Sequence, residues 1–138
     1  SGPLDKAERK IMNGHSKIGA DILSSRTSML VSMASTIALS HHERWDGSGY
    51  PSGLAGESIP IEGRITAIAD VFDALTTVRP YKEAWTVNEA KAHLEKGAGH
   101  HFDPNLVAKF IENLDRILEI KNTYVDCIDT LNVSYSFN

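Results

Sequence analysis

Cysteine is nearly missing from this sequence, aromatic residues are few, and there is no surplus of positive charge. The single cysteine in 138 residues, Cys127, can form neither an intramolecular disulfide nor a thiolate metal site. A disulfide scaffold and a zinc ribbon are thereby excluded, and a reducing, cytoplasmic compartment is the expectation. No apolar run approaches the ~20 residues that a membrane span requires. The first residues carry neither the basic flank nor the apolar segment of a secretory signal. With 14 Lys+Arg against 18 Asp+Glu the formal charge is −4, which argues against a broad electrostatic grip on DNA. Any phosphate handled here must be held by local cations or metals. Alternation of apolar and polar residues is too sparse to predict a sheet, and repeats and low-complexity tracts are missing.

What is present is helical periodicity with clear punctuation. Asp5 followed by Glu8 reads as a capping box that opens a first helix, in which Ile11, Ile18 and Ile22 repeat at helical spacing. The apolar stripe they form predicts an inward face, and His15 lies on it. A second helix carries Leu30, Met33, Ala34, Ile37 and Ala38 and ends in His41-His42. Residues 45–56 hold four glycines and a proline and predict a long loop. A third helix follows Pro60, with Ile61, Ile65, Ile68, Phe72 and Leu75 on its apolar side, and stops near Thr77 ahead of Pro80. Thr86 with Glu89 forms another capping box, opening a fourth helix that Gly97 or Gly99 ends. Asp103-Pro104, a cap followed by proline at the first helical position, opens a fifth that runs through Phe110 to Leu118. The expectation is an all-α bundle of about five helices over residues 4–121, with 122–138 a weakly structured extension whose Tyr124, Val125, Ile128 and Leu131 cover apolar surface.

Three features bear on chemistry: a histidine in the first apolar stripe, adjacent histidines at the end of the second helix, and Asp70 and Asp73 in the third. Adjacent histidines on a helix point about 100° apart, so both reach one ion only with help from the frayed helix end. A buried carboxylate such as Asp70 costs several kcal/mol unless it meets a cation or donors, and a shared metal would supply the cation. Imidazole and carboxylate without thiolate suit iron, manganese, zinc or similar divalent ions.

The run His41-His42-Glu43-Arg44-Trp45-Asp46-Gly47-Ser48-Gly49-Tyr50-Pro51 closely resembles the signature of the HD-GYP family, the HD phosphohydrolases that hydrolyse cyclic di-GMP. The likeness continues through Ala69-Asp70-Val71-Phe72-Asp73, Arg79-Pro80-Tyr81-Lys82 and Phe102-Asp103-Pro104, with Met12, His15 and Gly19 in register upstream. It implies an HD-domain-like helical bundle that binds two or three metal ions, iron or manganese, through His15, His41, His42 and Asp70. Tyr50, in the Gly49-Tyr50-Pro51 motif, is implied to contact the dinucleotide, with Arg79 and Lys82 gripping its phosphates. No side chain is implied as the nucleophile; water activated by the metals attacks phosphorus and yields pGpG and/or, with a second cut, GMP.

The family is also named for a His-Asp pair, and no His-Asp dipeptide occurs in these residues. The chain therefore resembles the C-terminal part of such a domain, N-terminally truncated, with metal binding and turnover impaired by the missing ligands. Glu43, Asp46 and Asp73 are candidates for orienting imidazoles or for loop and helix hydrogen bonds, whereas His93, His100 and His101 are expected in solvent-facing or capping roles. Trp45, Tyr81 and Trp85 are expected to wedge between helices. The competing reading is a non-catalytic signalling module that uses the Gly-Tyr-Pro loop to contact a diguanylate cyclase (GGDEF) domain or an attached sensor or receiver domain. A homodimer formed through the tail is the third.

Overall fold

The computed structural model describes residues 5–24, 28–78 and 83–131. Among the described residues seven α-helices follow one another: α1 (Lys6–Asn13), α2 (His15–Ser24), α3 (Met29–Ser40), α4 (Ile61–Thr76), α5 (Val87–Gly97), α6 (Pro104–Glu112) and α7 (Leu114–Leu131). Among the described residues there is no strand, and an isolated bridge between Ala98 and Phe102 is the nearest approach to one. The all-α expectation holds. Seven helices replace five because two of the expected helices are each broken once, the first at Gly14 and the fifth at Asn113. No helix among the described residues is long and apolar enough to cross a membrane.

The punctuation read from the sequence is realised in atoms. Asp5 accepts from the amides of Ala7 and Glu8 while Glu8 accepts from the amide of Asp5, closing the capping box of α1. Thr86 and Glu89 do the same for α5. Asp103 accepts from the amides of Asn105 and Leu106 ahead of α6, and Pro104 takes the first helical position, where its missing N–H is no loss.

The chain divides into two compact units, Ser1–Val107 and Ala108–Asn138. In the first, α2 packs on α3, α3 on α4 and α4 on α5. Ile59, Ala67, Ile68, Phe72, Leu75, Ala90, Leu94 and Phe102 are buried, so the core lies along α4, α5 and the segments flanking them. Gly63 lets α4 approach α3 closely: a Cβ there would run into the side chain of Ser40, whose Cβ would be only 2.8 Å away. Inside this core Arg64 donates to Asp103 at 2.7 Å, fastening α4 to the start of α6.

The expected inward stripe of the first helix is not inward. Ile11, Ile18 and Ile22 are 79, 60 and 70% exposed. For Ile18 and Ile22 the reason is geometric: α2 meets α3 through its small residues, with Gly19 against Ala38 and the Ser35 hydroxyl donating to the Ala20 carbonyl, which leaves these two isoleucines on the opposite side. In the second unit, α7 continues past Lys121 to Leu131, so the expected extension begins as helix. The side chains of Val125, Ile128 and Leu131 lie outside the described residues, and Tyr124 is exposed.

Candidate metal centre

His15 opens α2, whereas His41 and His42 follow the last residue of α3. His41 retains helical dihedrals as the C-cap, and His42 occupies the turn beyond it. Leaving the helix is what allows two adjacent imidazoles to face one place. Their ring centroids lie 4.0 Å apart, and His15 comes within 4.9 Å of His42 and 5.6 Å of His41. One nitrogen from each of the three can be chosen so that all lie within 4.8 Å of one another.

Backbone carbonyls select which nitrogen is free. The Nδ1–H of His15 donates to the Met12 carbonyl at 2.6 Å, and the Nδ1–H of His41 is shared between the carbonyls of Ile37 and Ala38 at 3.0 Å each. Each ring thus turns an Nε2 lone pair outward, the tautomer a metal ligand needs. The Nε2 atoms of His15 and His42 stand 3.1 Å apart. Two imidazole nitrogens bound to one ion at about 2.1 Å, nearly at right angles, would stand about 3 Å apart. Burial, then the neighbouring His41 and His15, lower the pKa of His42 against an opposing pull from Asp70, so the ring stays neutral and competent to ligate near pH 7.

Asp70 is exposed, not buried as its position between apolar residues had suggested. Its charge is felt by His42, yet its carboxylate is outside the three-histidine group. Asp73, near the end of α4, accepts from the Thr77 hydroxyl at 3.0 Å. Asp46 accepts from both the amide and the hydroxyl of Ser48, which lowers its pKa, and so shapes its own turn. Glu43 is almost completely buried and accepts from the amides of Ser52 and Leu54. Arg79, Tyr81 and Lys82 lie outside the described residues.

The Tyr50 ring lies 4.8 Å from that of His42, tilted by 33°, and burial raises its pKa. Beside it opens a cavity of about 500 Å³ lined in part by Arg9, Asn13, His42, Arg44, Tyr50 and His101. The sequence assigns Arg9 and Arg44 no role of their own and places His101 in a solvent-facing or capping one. His101 is neither capping nor fully solvent-facing: it stacks on Phe102 at 4.1 Å, and burial first, then Arg44, pulls its pKa down to about 4. It reaches the cavity because the amides of Trp45 and Asp46 donate to the carbonyls of His101 and His100. His93 and His100 are exposed, as expected, with His93 edge-on to a partly exposed Trp85. Trp45 lies under the Arg64 guanidinium, 5.9 Å from its ring centre.

The sequence profile of the family described as HD domain matches residues 1–106. The chain belongs to the HD domain family. Among its relatives, this HD domain is 47% identical over 119 residues to the cyclic di-GMP phosphodiesterase response regulator RpfG of Xanthomonas campestris, covering 86% of this chain and 32% of that protein. It is 46% identical over 125 residues to a 3′3′-cGAMP-specific phosphodiesterase of Vibrio cholerae, covering 91% of this chain and 24% of the relative. A solved structure of a cyclic GMP-AMP-specific phosphodiesterase from the same organism superposes with a TM-score of 0.62 at 26% identity, covering 84% of this chain and 25% of that one. The HD domain here thus spans a quarter to a third of the length of these relatives.

Proposed function

We propose that this HD domain carries part of the metal site and the ligand-facing loop of a cyclic dinucleotide phosphodiesterase, with cyclic di-GMP as its substrate. The single observation that carries the reading is the convergence of His15, His41 and His42, their Nδ1 atoms engaged where the structure shows them, beside Tyr50 and an open cavity. His15, His41 and His42 would hold divalent iron or manganese, with Asp70 as a further ligand once its side chain turns toward them. The bound ions would supply positive charge that acidifies water and neutralises charge on phosphate oxygens.

The chain's own residues do the rest. Met12, Ile37 and Ala38 carbonyls fix the imidazole tautomers. Tyr50 offers a ring face to a base or ribose, and the guanidinium of Arg44 beside it suits a phosphate oxygen pair. Arg79 and Lys82 are the further phosphate contacts that the family likeness supports. Hydrolysis adds water across one P–O3′ bond: hydroxyl goes to phosphorus and the proton to O3′, and the ring opens to pGpG.

The test is titration of the purified chain with Mn²⁺ or Fe²⁺, followed by incubation with cyclic di-GMP and, separately, 3′3′-cGAMP. Weak metal binding that His42→Ala abolishes, with slow release of pGpG, is the expected result. Metal binding unchanged by His42→Ala would overturn the site. Dinucleotide bound tightly but never cleaved would favour the signalling-module reading, and preference for 3′3′-cGAMP would correct the substrate.

A further inference from the structure

Glu43 follows the two histidines directly, is 3% exposed, and spends both carboxylate oxygens on the loop that returns past them. Oε1 accepts from the Ser52 amide at 2.7 Å and Oε2 from the Leu54 amide at 3.0 Å, nine and eleven residues on. The same loop is held from its other side: the Tyr50 amide donates to the His42 carbonyl at 3.2 Å. Gly49 presses so close that a Cβ there would meet the Arg44 nitrogen, with the Glu43 Cα and the His42 oxygen each at 2.6 Å. Tyr50 sits between these two fastenings with its ring against His42.

We infer that Glu43 is a positioning residue that latches the Gly-Tyr-Pro loop and so sets dinucleotide affinity through Tyr50, without holding metal. The inference rests on the phosphodiesterase reading only for the identity of the ligand. Two amide donors require two acceptors, and a carboxylate supplies them where a carboxamide supplies one and turns an NH₂ against the other N–H. Glu43→Gln, nearly identical in volume, therefore breaks the latch. A hydrogen bond to a buried charged acceptor is among the stronger ones in a protein, so its loss should weaken dinucleotide binding about tenfold or more.

Three measurements test this on the full chain. In the wild type, the Ser52 and Leu54 amides should exchange with solvent slowly by NMR although the loop is largely exposed; exchange at the rate of free loop amides would overturn the latch with no variant needed. With 3-fluorotyrosine incorporated, the Tyr50 ¹⁹F resonance, assigned through Tyr50→Phe, should move in Glu43→Gln and in Gly49→Ala. Cyclic di-GMP should then bind Glu43→Gln about tenfold more weakly while Mn²⁺ affinity changes less than twofold. An unmoved Tyr50 resonance, or Mn²⁺ affinity falling in step with dinucleotide affinity, would sink the inference. A wild type that binds neither Mn²⁺ nor cyclic di-GMP would sink the proposed function instead, and the exchange and fluorine readouts would still decide the latch.

Discussion

Along α4 and α5 the large apolar side chains Ile68, Phe72 and Leu94 are closed off from solvent, whereas along α1 to α3 Ile11, Ile22 and Leu30 are 70 to 79% exposed. Both regions belong to the first unit, and both were apolar stripes in the sequence. The difference teaches how work is divided between them. The α4–α5 side holds the unit together by burial. The side that carries the imidazoles is organised by directional bonds: ring N–H groups to carbonyls, the Ser35 hydroxyl to Ala20, and the Glu43 carboxylate to loop amides. Changes on the first side should be read in stability, and changes on the second in ligand binding.

The sharpest way to break that division is Phe72→Ala or Leu94→Ala. Phe72→Ala should cost about 3–5 kcal/mol and Leu94→Ala about 2–5 kcal/mol in urea unfolding, since these sites have no solvent into which the cavity can open; Mn²⁺ affinity of the molecules that stay folded should be unchanged. Asp103→Ala comes next. It removes an N-cap and leaves Arg64 charged and mostly buried without its carboxylate, at a cost of about 3 kcal/mol, while Asp103→Asn keeps the cap acceptor and should lose less. On the other side, His41→Ala should lower Mn²⁺ affinity by about tenfold to a hundredfold with the unfolding midpoint unmoved. A His41→Ala protein as destabilised as Leu94→Ala would erase the distinction.

A smaller effect lies between the two regions, in pH. The His101 imidazole is held at about 4 by burial, while in the unfolded chain it returns to its ordinary value near 6.5. Between these values the unfolded state binds more protons, so stability is whole above pH 6.5 and declines as pH falls toward 4. Urea midpoints measured across that interval should show the slope, and His101→Asn should flatten it. The lowered pKa of His42 works differently: if His42 is a ligand as proposed, protonation takes it away, so acid should weaken Mn²⁺ binding even where the fold persists.

Much of this was legible in the sequence because it is local. Asp5 with Glu8, Thr86 with Glu89, and Asp103-Pro104 each specify a helix start within four residues, and all three stand where they were read. His41, His42 and the Gly-Tyr-Pro turn were legible through a contiguous motif, whereas His15 was read from its place in the first apolar stripe. The break at Gly14 was not: its dihedrals remain helical, so nothing in the apolar spacing marks it. Nor was the part of His101, which comes beside His42 across 59 residues through two backbone bonds that any side chains would permit. For Glu43 the sequence left two roles open, orienting imidazoles or bonding the loop, and could not choose between them, because its partners are main-chain amides that leave no trace in residue types.

The exposed stripe offers the mildest perturbation and the one most diagnostic of the comparison. Periodicity establishes that Ile11, Ile18 and Ile22 share a face; it does not say that anything within this chain covers it. Since these side chains keep most of their surface in water in the folded chain, replacing Ile11 by Gln removes little burial and should change the unfolding free energy by no more than about 0.5 kcal/mol. Gln is also a good helix former, so α1 gains or loses little from propensity. A loss near the 2–5 kcal/mol of a buried aliphatic side chain would show that Ile11 is packed in solution, and the two sides of the unit would then differ in partner and not in kind.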